Sequence, residues 1–359
     1  MEENMSDVLI VAPPDDSHAN VVEWSLRKAG HKVTYWDTGN VTSEIHLSVE
    51  QHFAAPTTIS IGDSAKFRSG WVRRVPYPKV FAEHVNNSDK LFVSREFNRI
   101  IDNTLDVLCQ EKIFWINRMQ YGMAAEQKVS QLYACNKLGI RFPDTLVAND
   151  PKKIRAFCKN RGKIVVKPLD VYRWEESDGS ALMSYANTIT HNELKDISDA
   201  ELNCCPAIYQ QFIKKTLDLR VVYVAGEVFA CSIENPHEYE CIDYRRYQET
   251  GTLKRSPYAV PEQLRKEICA LAEHFQVEYV SSDFCVDEDG NFFFLDLNPG
   301  GAFLFVEYFG GASCGIVAKI ASVLGGGSPK DYLGFADFSA EVVRQVADAN
   351  ETCVPHEQS

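Results

Sequence analysis

Asp283, Asp296 and Asn298 are the residues whose types and spacing could most directly do chemistry. Asp296 and Asn298 are two apart, so in a strand they share one face, with Leu295 and Leu297 turned the other way into a core. Asp283 lies on the preceding apolar run, and Asp287–Gly290 (Asp-Glu-Asp-Gly) supplies the turn between the two strands. Three hard oxygen ligands converging from paired strands suit Mg²⁺, which, held by so few protein groups, shares its coordination with substrate phosphates. The expectation is a nucleotide-dependent enzyme. A solvated Asp-Gly hairpin ending in an Asn-Pro-Gly-Gly strand terminator is the plainer alternative.

Cations are needed to meet phosphates, and two lysines are placed for it. Lys167 ends the apolar run Ile164-Val165-Val166 and precedes Pro168, so its ammonium should sit at a strand mouth, where sites gather. Lys128 stands near a helix start and could act as a second point charge, or be a solvated helix lysine. Asp218 and Arg220 are two apart on one strand and share a face. Arg73-Arg74, within Trp71–Pro78, could hold an acidic group or form a surface ion pair. No Ser-His-Asp or Cys-His pattern offers a nucleophile.

The elements that must position these residues follow from periodicity. Asp7–Ala12 reads as a buried strand, Asn20–Ala29 as a helix stopped by Gly30, and Lys32–Trp36 as the next strand, a βαβ unit. It lacks Gly-x-Gly-x-x-Gly, so no dinucleotide site is expected there. Helices are expected at Ser94–Gln110, at Ala124–Leu138 stopped by Gly139, after Asp150-Pro151, and at Pro261–Phe275. Strands are expected from Ile140, at Lys163–Lys167 and from Ala207. A hairpin of Leu219–Val224 and Glu227–Ile233 and a polar hairpin turning at Asp178-Gly179 are expected too.

Bulk properties set limits. The 359 residues are 45% hydrophobic and 24% charged, the composition of a globular chain of two or three subdomains. A net charge of −13 argues against a broad nucleic-acid surface. Eleven cysteines, an odd number with no Cys-x-x-Cys, suit free thiols in a reducing cytosol. The acidic N-terminus is unlike a signal peptide, and no apolar run approaches the roughly 20 residues of a membrane helix, so a cytoplasmic protein without a membrane partner is expected.

Taken in chain order, Lys128, Lys167 with its polar hairpin, Gln210–Lys214, Asp218–Arg220 and the Asp283/Asp296/Asn298 hairpin resemble the ATP-grasp fold, from about Asn117 to Glu307. In that fold two α+β subdomains hold ATP between them, and the N-terminal unit resembles the parallel α/β domain that precedes them. The corresponding division is an α/β domain at 1–116, a central subdomain at 117–205, a C-terminal subdomain with the Mg²⁺ site at 206–330, and a tail at 331–359 that ends loosely. Asp16-Ser-His18, Trp71–Pro78, Pro143–Pro151 and Asp243-Tyr244-Arg245 further resemble motifs of the graspetide (microviridin-type) peptide ligases. Three features depart from that pattern. Asp296 stands where Glu is usual, Tyr244 where Trp is usual, and Glu175, Glu176 and Asp178 lie on the loop expected to cover phosphates.

The resemblance implies ATP with Mg²⁺ (Mn²⁺ substituting), with Asp283, Asp296 and Asn298 on the metal. It places Lys128 and Lys167 on the phosphates, Gln211, Phe212 and Ile213 at the adenine, and Asp218 at the ribose or in an ion pair; Phe212 on its own reads as plain core. Arg220 and Arg245 would attend the acyl phosphate, although Arg245 could simply pair with Asp243. The implied reaction activates Asp or Glu side chains of a leader-bearing precursor peptide and joins them to Ser, Thr or Lys, on a homodimeric enzyme. A ligase of small acids and amines is the first alternative, and a non-catalytic nucleotide- or peptide-binding module the second.

Overall fold

The computed structural model describes residues 7–352, apart from 42–45, 64–65, 79–80, 172, 176–180, 235–242, 248–252 and 310–311. The first apolar run forms the strand Asp7–Val11, which pairs in parallel with Lys32–Trp36 on one side and Ser69–Val72 on the other. Phe114–Ile116 adds a parallel edge strand. Both faces of this sheet are covered, so Val8, Leu9, Ile10 and Val11 are all fully buried. The helix between the first two strands spans Ser17–Lys28, starting earlier than Asn20 because the Asp16 carboxylate accepts from the His18 and Ala19 backbone N–H groups, both at 3.0 Å.

The expected helix Ala124–Leu138 is two helices, Met119–Glu126 and Lys128–Leu138, broken at Gln127 in an extended conformation. The break puts Lys128 at the first turn of the second helix. Next comes an antiparallel sheet in the order Asn187–Thr190, Lys163–Lys167, Ala207–Gln211, Thr145–Ala148. The strand expected from Ile140 thus begins only at Thr145, beyond Pro143, which has no N–H to give a ladder. The helix Pro151–Arg161 packs Ile154 and Cys158 onto this sheet, its first turn capped by Asp150. Arg173–Glu175 and Ala181–Met183 pair antiparallel; the Asp178-Gly179 turn expected between them, with Glu176, lies outside the described residues.

A second antiparallel sheet runs Lys254–Pro257, Glu227–Glu234, Lys215–Val224, Tyr279–Asp287, Phe292–Asn298. Its central strand Lys215–Val224 is buried on both faces. Leu219 and Val221 meet Leu264, Ile268 and Leu271 of the helix Glu262–Phe275. Val222 and Val224 join a core that also contains Val8, Ile10, Leu26 and Trp71 of the N-terminal sheet and Ile320 of the helix Ile316–Gly325. The N-terminal domain and the last subdomain therefore share one hydrophobic core. The C-terminal segment, expected to end loosely, forms the helix Phe335–Thr352 on the Ser17–Lys28 helix: Trp24 meets Phe338 edge-on at 5.3 Å and donates to Glu341. Residues 353–359 lie outside the described set.

Asn117 links the two halves. Buried where the N-terminal sheet ends, it donates to the Tyr279 carbonyl at 2.7 Å and accepts from the Glu278 and Tyr279 N–H groups at 2.8 and 2.9 Å. Asn117→Ala leaves three backbone groups without partners, so a loss of about 2–4 kcal/mol in urea unfolding is expected from the cost of unmade buried hydrogen bonds. An unchanged urea midpoint would show that water replaces the amide.

Candidate active site

The hairpin of Tyr279–Asp287 and Phe292–Asn298 turns where the Asp287 carboxylate accepts from the N–H groups of Asp289 and Asn291. Asp283 lies directly opposite Asp296, and Ser281 opposite Asn298. The register then slips, because Phe284 faces Phe294 and Leu295 is an extra residue. This bulge explains why Phe294 and Leu297, three apart, are both fully buried. It also corrects the expectation for Leu295: the residue is half-buried, lines the cleft and stands outside the buried core, and its carbonyl accepts from Lys167 Nζ at 3.1 Å.

Each candidate metal ligand has a partner. Asp283 accepts from Arg220 Nη1 at 2.9 Å on both oxygens, and from the Tyr244 hydroxyl at 3.3 Å. Asp296 accepts from Lys128 Nζ and from the Leu297 N–H, and Asn298 Oδ1 from the Gly300 N–H. Two carboxylates on facing residues with a carboxamide two positions along are a hard-oxygen set that fits Mg²⁺. No group of three or more His, Cys, Asp or Glu suited to a metal occurs among the described residues, so an ion here would draw its other oxygens from phosphate or water.

A cavity of about 150 Å³ lies between the two antiparallel sheets. It brings together Lys167, Gln211, Phe212, Ile213, Asp218, Arg245, Asp283 and Asp296. Three of the sequence-derived residues stand outside its lining: Lys128 pairs with Asp296, Arg220 pairs with Asp283, and Asn298 sits at the end of its strand. Phe212, read on its own as core, is only half-buried; it lines the cavity with Lys163 over its ring at 4.7 Å. The Gln211 side-chain oxygen accepts from the Asp144 N–H at 3.3 Å. Arg245 makes a two-point pair with Asp243, at 2.8 and 2.6 Å, as one reading of the sequence had it, while still facing the cavity.

Sequence reasoning missed two residues. Lys215 grips Asp218 at 2.8 and 2.6 Å and lines the cavity; the signal was a lysine three before an aspartate on one strand, made possible by an irregularity between Lys215 and Leu217. Tyr244, noted only as a departure from Trp, puts its hydroxyl on Asp283. Burial pulls the Lys167 pKa down, while Asp296 pulls it up. Burial also opposes the charge on Arg220, but Asp283 beside it more than compensates.

The turn after Asn298 is clasped residue by residue. Arg73 donates to the Gly300 carbonyl, the Tyr279 hydroxyl to Gly301 at 2.7 Å, and Arg220 and Ser281 to Ala302 at about 3.2 Å. The Phe303 and Leu304 N–H groups donate to His18 Nδ1 at 3.4 and 3.3 Å. A Cβ at position 301 would stand 2.5 Å from Ser281 Cβ and 2.9 Å from Arg220 Nη2, so only glycine fits. Two side chains of the N-terminal domain, His18 and Arg73, thus hold the segment that follows Asn298.

Asp218 gives a pH test. Burial pushes its carboxyl up to about 6, with Lys215 pulling it down. A folded-state pKa above the unfolded value of about 3.9 means that the folded chain binds the extra proton between these pH values, so stability from this group falls as pH rises from about 4 to 6. Wild type should lose stability relative to Asp218→Asn across that window and run parallel to it above. A difference that grows in the opposite sense would mean that the Lys215 pair outweighs burial.

Residues 131–274 match the sequence profile of the prokaryotic glutathione synthetase ATP-grasp domain. No protein of curated function matches the sequence. Among solved structures, the chain is similar to the macrocyclase MdnC bound with precursor peptide MdnA from Microcystis aeruginosa MRC, at 22% identity and a TM-score of 0.75 over 89% of this chain and 98% of that one. It is also similar to a Chryseobacterium gregarium RiPP-associated ATP-grasp ligase in complex with ADP and a leader and core peptide, at 20% identity and 0.79 over 92% and 99%. A third is the ATP-grasp ligase PsnB complexed with a phosphomimetic variant of a minimal precursor, Mg and ADP, at 20% and 0.67 over 89% and 97%. The sheet pair, the cleft between them and these likenesses over nearly the whole length agree: the chain has the ATP-grasp fold, preceded by a parallel α/β domain.

Proposed function

We propose that the chain is an ATP-dependent peptide ligase that activates Asp or Glu side-chain carboxylates of a ribosomal precursor peptide and joins them to Ser or Thr hydroxyls or Lys amines. The observation that carries this reading is the one cleft lined by Lys167, Gln211–Ile213, Asp218, Asp283 and Asp296, in a chain whose nearly full-length likenesses include ligases solved with precursor peptides. Gln211, Phe212 and Ile213 would face the adenine, and the Asp218–Lys215 pair the ribose. Lys167 and Lys128 would meet the phosphates. Asp283, Asp296 and Asn298 would hold Mg²⁺, or Mn²⁺ in its place, which supplies charge neutralisation at the transferred phosphoryl group.

In the first step, the substrate carboxylate takes the γ-phosphoryl group and ADP leaves. In the second, the acceptor displaces phosphate from the acyl carbon. Arg220 and Arg245 would balance negative charge on the acyl phosphate, so the protein acts by positioning and electrostatics, with no nucleophile of its own. The leader segment, the homodimer and a cytoplasmic setting belong to the same reading. No described helix is long and apolar enough to cross a membrane.

Lys167→Ala should weaken ADP binding by about 1–3 kcal/mol in calorimetry, the scale of a charged hydrogen bond, with the fold intact. Unchanged affinity would remove Lys167 from the nucleotide site. Asp296→Asn should abolish turnover in a folded protein, because it deletes a hard ligand; Asp283→Asn should abolish it too and also lower stability, because Arg220 loses its charge partner. With a cognate precursor, each bond formed should lower the peptide mass by one water and release one ADP and one phosphate. Release of AMP with pyrophosphate would overturn the acyl-phosphate route, and efficient joining of free amino acids without precursor dehydration would favour a small-molecule ligase.

A further inference from the structure

A second cavity, of about 530 Å³, stands at the carboxyl ends of the parallel strands Ser69–Val72 and Phe114–Ile116, the end of an open α/β sheet where ligands gather. It shares no lining residue with the nucleotide cleft, yet one stretch of chain connects them: Asp296 lines the first, and Pro299 and Gly300, just beyond Asn298, line the second. Its walls carry charges of both signs. Two are committed elsewhere: Arg73 donates to the Gly300 carbonyl, and Asp106 accepts from Gln110 and Gln120. Four are not. Among the described residues, the side chains of Arg118, Asp102 and Glu126 have no hydrogen bond or ion pair, and Arg74, more than half exposed, is held only by Asp16 at 3.7 Å. Glu126 also links the two cavities electrically: partial burial pushes its carboxyl up, and it feels Lys128, Asp170, Asp296 and Arg74. Between the charges, Tyr77 and Met123 offer apolar surface, each more than half exposed.

We propose that this cavity binds an extended segment of the substrate peptide carrying charges of both signs, with acidic side chains against Arg74 and Arg118 and an ammonium against Asp102 and Glu126. The inference rests on the ligase reading above. A ligand of one sign would meet like charges on one of the walls, whereas a mixed-charge segment pairs with all four. The aliphatic stems of Glu and Lys side chains would lie on Tyr77 and Met123. The nucleotide cleft then selects ATP, and this cavity selects sequence: a stretch mixing Asp or Glu with Lys fits it, while one of acidic and hydroxyl residues alone leaves Asp102 and Glu126 without partners. Binding energy gained here would help to position the reacting side chains at the neighbouring cleft. Gly122, within the helix Met119–Glu126, gives a handle on the cavity. A Cβ added there meets nothing closer than Asn117 Cβ at 3.9 Å, so a larger side chain enters open space.

The test uses the full chain loaded with Mg-ADP and the blocked peptide Ac-Glu-Thr-Lys-Thr-NH₂, with binding read by NMR titration. This peptide should bind in the millimolar range. The uncharged Ac-Gln-Thr-Gln-Thr-NH₂ and the single-sign Ac-Glu-Thr-Glu-Thr-NH₂ should each bind about fivefold more weakly, the scale of two exposed ion pairs. Gly122→Trp should weaken the mixed-charge peptide about tenfold by filling the cavity. Arg118→Gln, which alters only an exposed side chain, should weaken it about threefold. Mg-ADP affinity should stay within about twofold in both variants, because the two cavities share no lining residue. Equal affinity for the three peptides, full affinity in Gly122→Trp, or no binding to the loaded wild type overturns the inference while leaving the ligase reading intact. Unchanged affinity in Arg118→Gln overturns it as well, even where Gly122→Trp fails to fold. Failure of the wild type to bind Mg-ADP overturns the ligase reading, and this inference with it.

Discussion

Charge neutrality inside a half-buried cleft is the constraint on which the rest of the structure depends. Asp283, Asp296 and Asp218 each stand against one cation: Arg220, Lys128 and Lys215. An unpaired charge would be costly at Asp218, 11% exposed, and at Arg220, 8% exposed, whereas the Lys128–Asp296 pair stands nearer the solvent. The pairs also tie elements together. Arg220 and Asp283 are cross-strand neighbours, and Lys128 brings the start of a helix to the last strand of the sheet. Lys167 is different: its ammonium meets only the Leu295 carbonyl among the described hydrogen bonds, and burial already weighs against its charge. A buried cation in that condition is well matched to an anion arriving from outside.

The same cleft shows why a bulge is worth its local disorder. A regular hairpin would send Leu295 into the core with Leu297, and Phe294 out of it. The extra residue instead lets Phe294 and Leu297 both pack inward and turns the Leu295 carbonyl toward Lys167. The core therefore sets the direction of Asp296, because Phe294 and Leu297 flank it on either side.

The N-terminal domain is part of the site as well as a neighbour of it. Its sheet shares a core with the last antiparallel sheet through Val222, Val224 and Tyr279, so the two cannot be separated without exposing that surface. From this fixed platform Arg73 and His18 reach the Gly300–Leu304 segment. Arg73, nearly fully buried, stands 3.5 Å from Asp16 and donates to the Gly300 carbonyl, so the surface reading of the Arg73-Arg74 pair does not hold for its first member. Arg74, more than half exposed, remains at the rim.

Much of the fold was legible in the sequence because it rests on local pattern. Strands such as Asp7–Val11 and Lys163–Lys167 and helices such as Glu262–Phe275 follow from runs and periodicities of side chains, and the Asp287–Gly290 turn from its own chemistry. The types and order of Lys167, Asp218, Asp283 and Asp296 could be read too, since a strand fixes which face each residue takes. What only the tertiary structure decided are features set by partners distant in sequence. The bulge at Leu295 goes with core packing of Phe294 against Phe284, and the pairing of Lys128 with Asp296 spans 168 residues. The pairing of Lys215 with Asp218 depends on the register of Lys215–Val224 against Tyr279–Asp287. The clasp of His18 on Phe303 and Leu304 spans 285 residues of chain or more, and no local periodicity encodes a contact of that length. Local pattern specifies elements and faces; burial and charge pairing across the assembled core specify where the side chains finally point.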